Sequence, residues 1–352
     1  MLIIESIIKV MQCLDTKHKI QYFIRICITT LMHFTIDQIH DDKLKFQTVS
    51  ICIKVYEIYL KIRSLFGIKY DEMMVYKLLN HIQSKKIHQH ENCLLYVHES
   101  IPTYDLNGIK VSIVIPTRDH FDDLKRCIHS INNSTYNNYE IVIVNNDSVE
   151  DKTITFLNDI DALIIDYPGQ YNYAELYNIA ISQCSGEYII MLNNDTEVIE
   201  PTWIEQLVGP MIEDPTIGVT GAKLLFADHT IQHAGVVFDP LTKFFMHIYS
   251  GQCDHIGNEY KFYQSVTGAC MCISRELYTR SGGMDPNLRI AYNDTDLCMK
   301  VGKDGYQILY TPFAKLYHYE ASTRGHDDTL GKKWLQTFEQ LYFLQKWENI
   351  LA

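Results

Sequence analysis

The sequence predicts an α/β fold, a Rossmann-like, mostly parallel central sheet with flanking helices, preceded by an all-α N-terminal region. Three observations carry this. Short continuous runs rich in β-branched residues, "VSIVIP", "YEIVIVNN", "ALIIDY" and "EYIIMLNN", begin at Val111 and have the texture of strands buried on both faces of a parallel sheet. Segments of helical period lie between them, as right-handed βαβ crossovers require. Polar clusters, "PTRD", "NNDS" and "NNDT", close three of the runs, and ligands of such sheets sit beyond the carboxyl ends of the strands.

In chain order, residues 1–100 read as helices. Ile4, Ile7, Ile8, Met11 and Leu14 share one face, as do Ile51, Cys52, Val55, Ile58, Tyr59, Ile62 and Leu65, and such stripes are most simply core. "HIQSKKIHQH" brings His81, His88 and His90 close in sequence, yet nothing fixes the three rings together and a solvated helix end is favoured over a metal site. Pro102, Asp105, Asn107 and Gly108 punctuate residues 101–109 as a linker. Beyond residue 110 the texture changes to strand-like runs alternating with helical segments. Among these, Phe121, Leu124, Ile128 and Ile131 share one helical face, and Ala174, Tyr177, Ala180 and Ile181 another. Residues 326–352 form a helical tail with Trp334, Phe338, Leu341, Tyr342 and Leu344 near one side. That side is read as packing on the domain, with a membrane surface or second subunit as the alternative.

Composition narrows the function. A formal charge of −12 over 352 residues excludes a protein whose main task is gripping nucleic acid backbone, because counterion release needs a basic face. The ten cysteines are scattered and show no CxxC spacing, which points to free thiols in a reducing, cytoplasmic compartment. Glu5 and Lys9 interrupt the first apolar run and Arg25 the second. Neither reaches the roughly 18 to 20 apolar residues that span a bilayer. The chain is expected to be soluble, or peripheral at the inner face of the cytoplasmic membrane.

No GxGxxG follows the first strand and no GxxxxGK[ST] occurs, so a nucleotide site here must hold phosphates by another device. A divalent cation is such a device, since magnesium or manganese takes one or two carboxylates and leaves other positions to substrate phosphates. "LNNDTE" offers Asp195 as an anion and Asn193 as a neutral oxygen, although an Asn-Asn-Asp run after a strand is more often a turn or cap. Asp294 and Asp296 open a short helical segment. Capping and general-base readings stand level there. For His318 a core role is favoured over a metal shell on this evidence alone.

Order and spacing change those odds. "VSIVIPTRD", "YEIVIVNNDS", "YNYAELYNIAI", "GEYIIMLNNDTEV", "GVTGAKLLF", "TIQHAGVVF", "VTGACMCISRELYTRSGGMD", "YNDTDLCMKVGKDGY" and "LYHYEASTRG" follow one another from Lys110 to Gly325. The series resembles the family 2 glycosyltransferases of GT-A fold, in particular the rhamnosyltransferase-like branch. The resemblance implies an inverting, metal-dependent transfer of a sugar from a UDP- or dTDP-sugar to a glycan or lipid-linked acceptor, with Mn2+ or Mg2+ as cofactor. It further implies that Pro116, Thr117 and Asp119 cradle the nucleotide, and that Asn145 takes the place of a base-reading aspartate. Asn178 would line the nucleotide pocket, and Asn193 and Asp195 take the first and last places of a DxD-type motif. His318 would join Asp195 at the metal. Asp294 would be the catalytic base, with Asn293 where the wider family has glutamate, while Gly268, Ala269, Gly282 and Gly283 resemble the acceptor wall. A non-catalytic scaffold that binds sugar nucleotides or glycans is the competing expectation. Peripheral membrane contact and self-association stay open as further partnerships.

Overall fold

The computed structural model describes residues 93–240, 243–319 and 330–351, with side chains from 335 in the last stretch. The two N-terminal stripes and the three clustered histidines lie outside the residues so described, as does the side chain of Trp334.

Strands β1 (Val111–Thr117), β2 (Tyr139–Asn145), β3 (Leu163–Asp166) and β4 (Tyr188–Leu192) form where the apolar runs predict them. They pair in parallel in the order β3-β2-β1-β4. The chain winds outward from β1 to β3, then crosses back to lay β4 on the other side of β1. That reversal opens a crevice at the carboxyl ends of β1 and β4. The crossovers are α1 (Phe121–Ile131), α2 (Asp151–Asp159) and α3 (Tyr173–Gln183). On α1 the expected stripe is buried at Leu124, Ile128 and Ile131, and Cys127 joins it.

Beyond β4 the sheet is mixed. The short strand β5 (Thr196–Val198) and helix α4 (Trp203–Glu213) lead to β6 (Ile217–Leu225) and β7 (Ile231–His233). A separate hairpin of β8 (Val236–Asp239) and β9 (Phe244–His247) follows, then β10 (Lys261–Tyr263) and β11 (Cys270–Ser274). Strand β11 lies antiparallel between β4 and β6. Short α5 (Arg275–Arg280) and α6 (Asn293–Lys303) precede the long β12 (Gln307–His318), which runs parallel to β6. Helices α7 (Leu330–Lys346) and α8 (Glu348–Leu351) close the described chain. Among the described residues no helix is long and apolar enough to cross a membrane.

Two expectations are corrected. Not all cysteines are free: Cys93 is bridged to Cys253, while Cys127, Cys184, Cys270, Cys272 and Cys298 are buried thiols. The bridge works beside a buried charge cluster. Lys223 on β6 and Lys315 on β12 are register partners, and both ammonium groups bind the fully buried Asp254, at 2.6 and 2.8 Å. Asp254 also accepts the Tyr96 N–H at 2.8 Å, and Lys315 donates to the Tyr96 carbonyl at 2.7 Å. Residues 93–96, which carry no helix, are thereby fastened to β6 and β12.

The second correction concerns the C-terminal helix. Phe338 and Leu341, expected on its packed side, are 67% and 61% exposed, whereas Phe343 and Trp347 are buried. Apolar residues occur all round this helix, so the partner surface selects the face. That surface is aromatic, with Phe343 stacked on Tyr292 at 5.0 Å and set edge-on to Phe245 at 5.4 Å.

Candidate active site

The site forms at the crevice between β1 and β4. Thr117 ends β1, is buried, and accepts a hydrogen bond from the Asn194 side chain at 3.0 Å. Asn194 thus ties the two strand ends across the switch in strand order. On either side of it stand Asn193 and Asp195.

Asp195 and His318 are brought together. Asp195 Oδ1 lies 3.2 Å from His318 Nε2, and Asn193 Nδ2 lies 3.2 Å from the same nitrogen. Both residues are almost wholly buried, at 5% and 8% exposure. The backbone explains the approach, since β5 pairs antiparallel with the end of β12, Thr196 opposite His318, and the Tyr319 N–H donates to the Asp195 carbonyl.

Gln232 on β7 decides the state of the ring. Its Nε2 donates to the His318 carbonyl at 3.3 Å, which leaves Oε1 to face His318 Nδ1 at 2.5 Å. Nδ1 therefore carries the proton. In the neutral ring Nε2 is then an acceptor beside the Asp195 carboxylate, a contact that either a proton on that nitrogen or a metal ion between the two groups would satisfy. Among the described residues no three His, Cys, Asp or Glu side chains gather into a metal cluster. The donor set is one carboxylate, one imidazole and an amide whose oxygen can be turned inward. Such a set fits a divalent ion that takes its remaining ligands from phosphates and water.

Asp294 and Asp296 separate cleanly. Asp296 is fully buried, accepts from Trp347 Nε1 at 2.8 Å, and pairs with Lys300 and Lys346. It is structural. Asp294 is half-buried in the first turn of α6, where the helix dipole favours an anion. Its Oδ2 accepts the Gly268 N–H at 2.8 Å and its Oδ1 the Thr295 N–H at 2.7 Å.

The segment Thr267–Ala269 joins the two halves of the site. Gly268 binds Asp294, and the next carbonyl, Ala269, accepts the Asn193 N–H at 3.0 Å. Tyr173 donates its hydroxyl to the Gly268 carbonyl at 2.7 Å, and a Cβ at Gly268 would meet that oxygen at 2.6 Å. His233, next to Gln232, accepts the Thr267 and Gly235 N–H groups on Nε2, each at 3.2 Å, while Nδ1 faces the Ala222 carbonyl. Burial holds its pKa well below the usual histidine range, so it stays neutral and can accept.

The remaining sequence candidates are placed as follows. Pro116 pairs with Val144 inside the sheet. Asp119 laces the loop after β1 to α2, its Oδ1 accepting from the Val149 and Glu150 N–H groups. Asn145 at the end of β2 accepts from the Ser148 N–H and donates Nδ2 to Asp166, its register partner at the end of β3, at 2.8 Å. Asn178 is turned away to Met284 and Tyr278, accepting from both and donating to the Met284 carbonyl. Sequence reasoning missed Gln232, His233 and Asp166. The first two stood in the "TIQHAG" segment, and the only signal was a polar pair inside a strand-like run.

Comparison with known proteins bears on the family and the fold. The description "Glycosyl transferase family 2" matches residues 112–235, and "Glycosyl transferase family group 2" matches residues 188–351. The chain belongs to glycosyltransferase family 2. This family 2 chain is 38% identical over 254 residues to the uncharacterized protein y4gI of Sinorhizobium fredii, covering 68% of the chain and 28% of y4gI. It is 32% identical over 242 residues to the O-antigen biosynthesis protein RfbC of Myxococcus xanthus, covering 64% of the chain and 18% of RfbC. The match therefore spans under a third of either relative. A crystal structure of GalNAc-T7 with UDP, GalNAc and Mn2+ aligns with a TM-score of 0.52 at 21% identity, over 61% of this chain and 45% of that one. That likeness bears out the GT-A-type fold.

Proposed function

We propose that the chain transfers a sugar from a nucleoside-diphosphate sugar to a hydroxyl of a glycan or lipid-linked acceptor, with inversion, in the assembly of a surface polysaccharide at the inner face of the cytoplasmic membrane. The observation that carries the proposal is the Thr267–Ala269 segment, which couples Asp294 to the Asn193–Asp195 turn through two successive residues. A group suited to accept a proton and a group suited to hold a diphosphate thus share one rigid support.

Asp195 and His318, with the Asn193 amide, would hold Mn2+ or Mg2+. When bound, such an ion supplies positive charge against the charge that gathers on a departing diphosphate. Thr117 and Asn194 line the same strand ends. Asp294 takes the acceptor hydroxyl proton as the acceptor oxygen bonds to the anomeric carbon and the bond from that carbon to the diphosphate breaks. The products are a glycoside, a nucleoside diphosphate and the protonated carboxyl. The acid lost at Asn145 is returned by Asp166 alongside it, and the pair presents a carboxylate and an amide N–H suited to the N–H and C=O of uracil or thymine.

The test is nucleoside diphosphate release from a panel of UDP-, dTDP- and GDP-sugars, with and without Mn2+. Metal-dependent release from at least one donor is expected. Binding of donors without any turnover, in the presence of varied acceptors, would favour the scaffold reading instead. A second measurement isolates Gln232. Its replacement by Leu should weaken Mn2+ binding about 10- to 100-fold, because a misoriented imidazole is a poorer ligand. Unchanged Mn2+ affinity by thermal-shift titration would remove Gln232 from the site.

A further inference from the structure

Helix α7 makes a set of contacts that packing alone does not require. Glu339 is fully buried, and its carboxylate accepts three successive backbone N–H groups, from Arg289 at 2.9 Å, Ile290 at 3.1 Å and Ala291 at 2.8 Å. Those residues end the loop that leads into α6. Burial pushes the Glu339 carboxyl upward, while the three N–H groups oppose that shift. Spending a buried carboxylate on a loop backbone costs solvation that an apolar contact would not.

The loop itself is under strain. Tyr292, immediately before α6, has φ 60° and ψ 4°, a left-handed conformation that an aromatic residue adopts only when its surroundings impose it, and no side chain caps the helix there. The imposing group is again α7, whose Phe343 ring stacks on Tyr292 at 5.0 Å. At the helix end Lys346 bridges Asp296 at 2.8 Å and Asp285 at 2.6 Å, and just past it Trp347 Nε1 donates to Asp296. Asp285, although partly desolvated, is drawn down to about 2 by Lys346 and its other donors. The helix therefore grips the loop before Asp294 and the helical turn that contains it. The same loop reaches the other wall of the crevice, because the Arg289 carbonyl accepts the Tyr173 N–H at 2.8 Å and Tyr173 in turn holds Gly268.

We propose that the C-terminal helix is a working part of the site, with Glu339 a positioning residue that sets the Asp294 carboxylate against Gly268. This rests on the reading of Asp294 as the base. On that reading Glu339 serves turnover rather than donor binding, since the described contacts of α7 fall on the loop and the helical turn around Asp294.

The experiment uses the full chain carrying Glu339→Gln, with Trp347→Phe as a milder second variant that keeps an aromatic ring, though a smaller one, and loses the N–H donated to Asp296. Three quantities are read: kcat with the best donor of the panel, Kd for UDP with Mn2+, and amide hydrogen exchange at Gly268 and at residues 289–291. The expected result is a kcat lower by about tenfold or more in Glu339→Gln, a UDP affinity within about twofold of the parent, and faster exchange at Gly268 in both variants. Unchanged kcat, or kcat and UDP affinity falling together, would overturn the proposal. Should the parent chain show no turnover, the transfer reading fails by itself. Exchange at Gly268 then still decides the clasp, and retained protection in Glu339→Gln would sink it.

Discussion

Asp294→Asn is expected to lower turnover about 10²- to 10⁴-fold, the range over which a positioned general base acts, while donor and Mn2+ binding stay close to the parent. The substitution keeps the side-chain shape and an oxygen able to accept the Gly268 N–H seen at 2.8 Å, so the support between the two halves of the site survives. What disappears is the ability to take a proton at neutral pH. Asp296→Asn makes the contrast, because that carboxylate is fully buried against Lys300, Lys346 and Trp347. Its loss should appear first as lower thermal stability. Parallel steady-state kinetics and thermal melts on the two variants separate the roles. An Asp294→Asn chain with full turnover would remove this residue as the base, whatever the status of the metal site.

The second large effect is on stability. Asp254→Ala leaves Lys223 and Lys315 facing each other on adjacent strands with no anion between them, at 0% and 3% exposure. Removing one partner of a buried ion cluster costs about 3–5 kcal/mol, which is a large part of the total stability of an ordinary domain. Urea unfolding should show the midpoint collapse, and a loss below about 1 kcal/mol would mean that water or the carbonyls of Asp254, Ile256 and Tyr96 already satisfy both ammonium groups. Replacing Lys223, Asp254 and Lys315 together by apolar residues of similar size should recover most of the loss.

The same cluster has a pH signature. Burial lowers the Lys223 pKa to about 8, against an ordinary 10.5, even with Asp254 pulling it upward. Between those values the unfolded chain binds a proton that the folded chain does not. Stability therefore rises with pH across that window. In Asp254→Ala the pull of the carboxylate is gone, so the penalty should shrink on raising the pH, as Lys223 sheds its charge.

The parallel half of the sheet was legible because its information is local. In "VSIVIP" and "YEIVIVNN" the central stretches Ile113–Ile115 and Ile141–Val144 are apolar and β-branched at every position, the pattern of a strand buried on both faces. The polar ends of those runs then marked the crevice without any knowledge of contacts. Asn193, Asp195 and His318 meet, although the last is more than a hundred residues from the others. The residues alone favoured a core role for His318; the family resemblance implied the meeting, and the antiparallel pairing of β5 with β12 is its physical cause.

What the linear pattern left open are partnerships between distant polar groups. An aspartate in an "NDTD" run reads the same whether it meets solvent or a buried lysine, so the residues alone left Asp294 and Asp296 level; the resemblance singled out Asp294, and the contacts of Trp347 and Lys346 with Asp296 supply a physical distinction. Helix α7 has apolar residues on several sides, and only the arrival of Tyr292 and Phe245 selected Phe343 over Phe338. Gln232 looks like an ordinary strand residue, yet the direction of its amide sets the proton on His318.

By itself the sequence determined which segments become buried strands, where their polar ends gather, and which family the chain resembles, because each of those follows from periodicity or from motifs read along the chain. Tertiary structure alone decided which acid is exposed enough to react, which cysteines join, which face of the last helix is covered and which neighbours orient the histidine. Those outcomes depend on solvent exclusion and hydrogen-bond direction between residues 50 or more positions apart, and neither quantity exists until the chain has closed on itself.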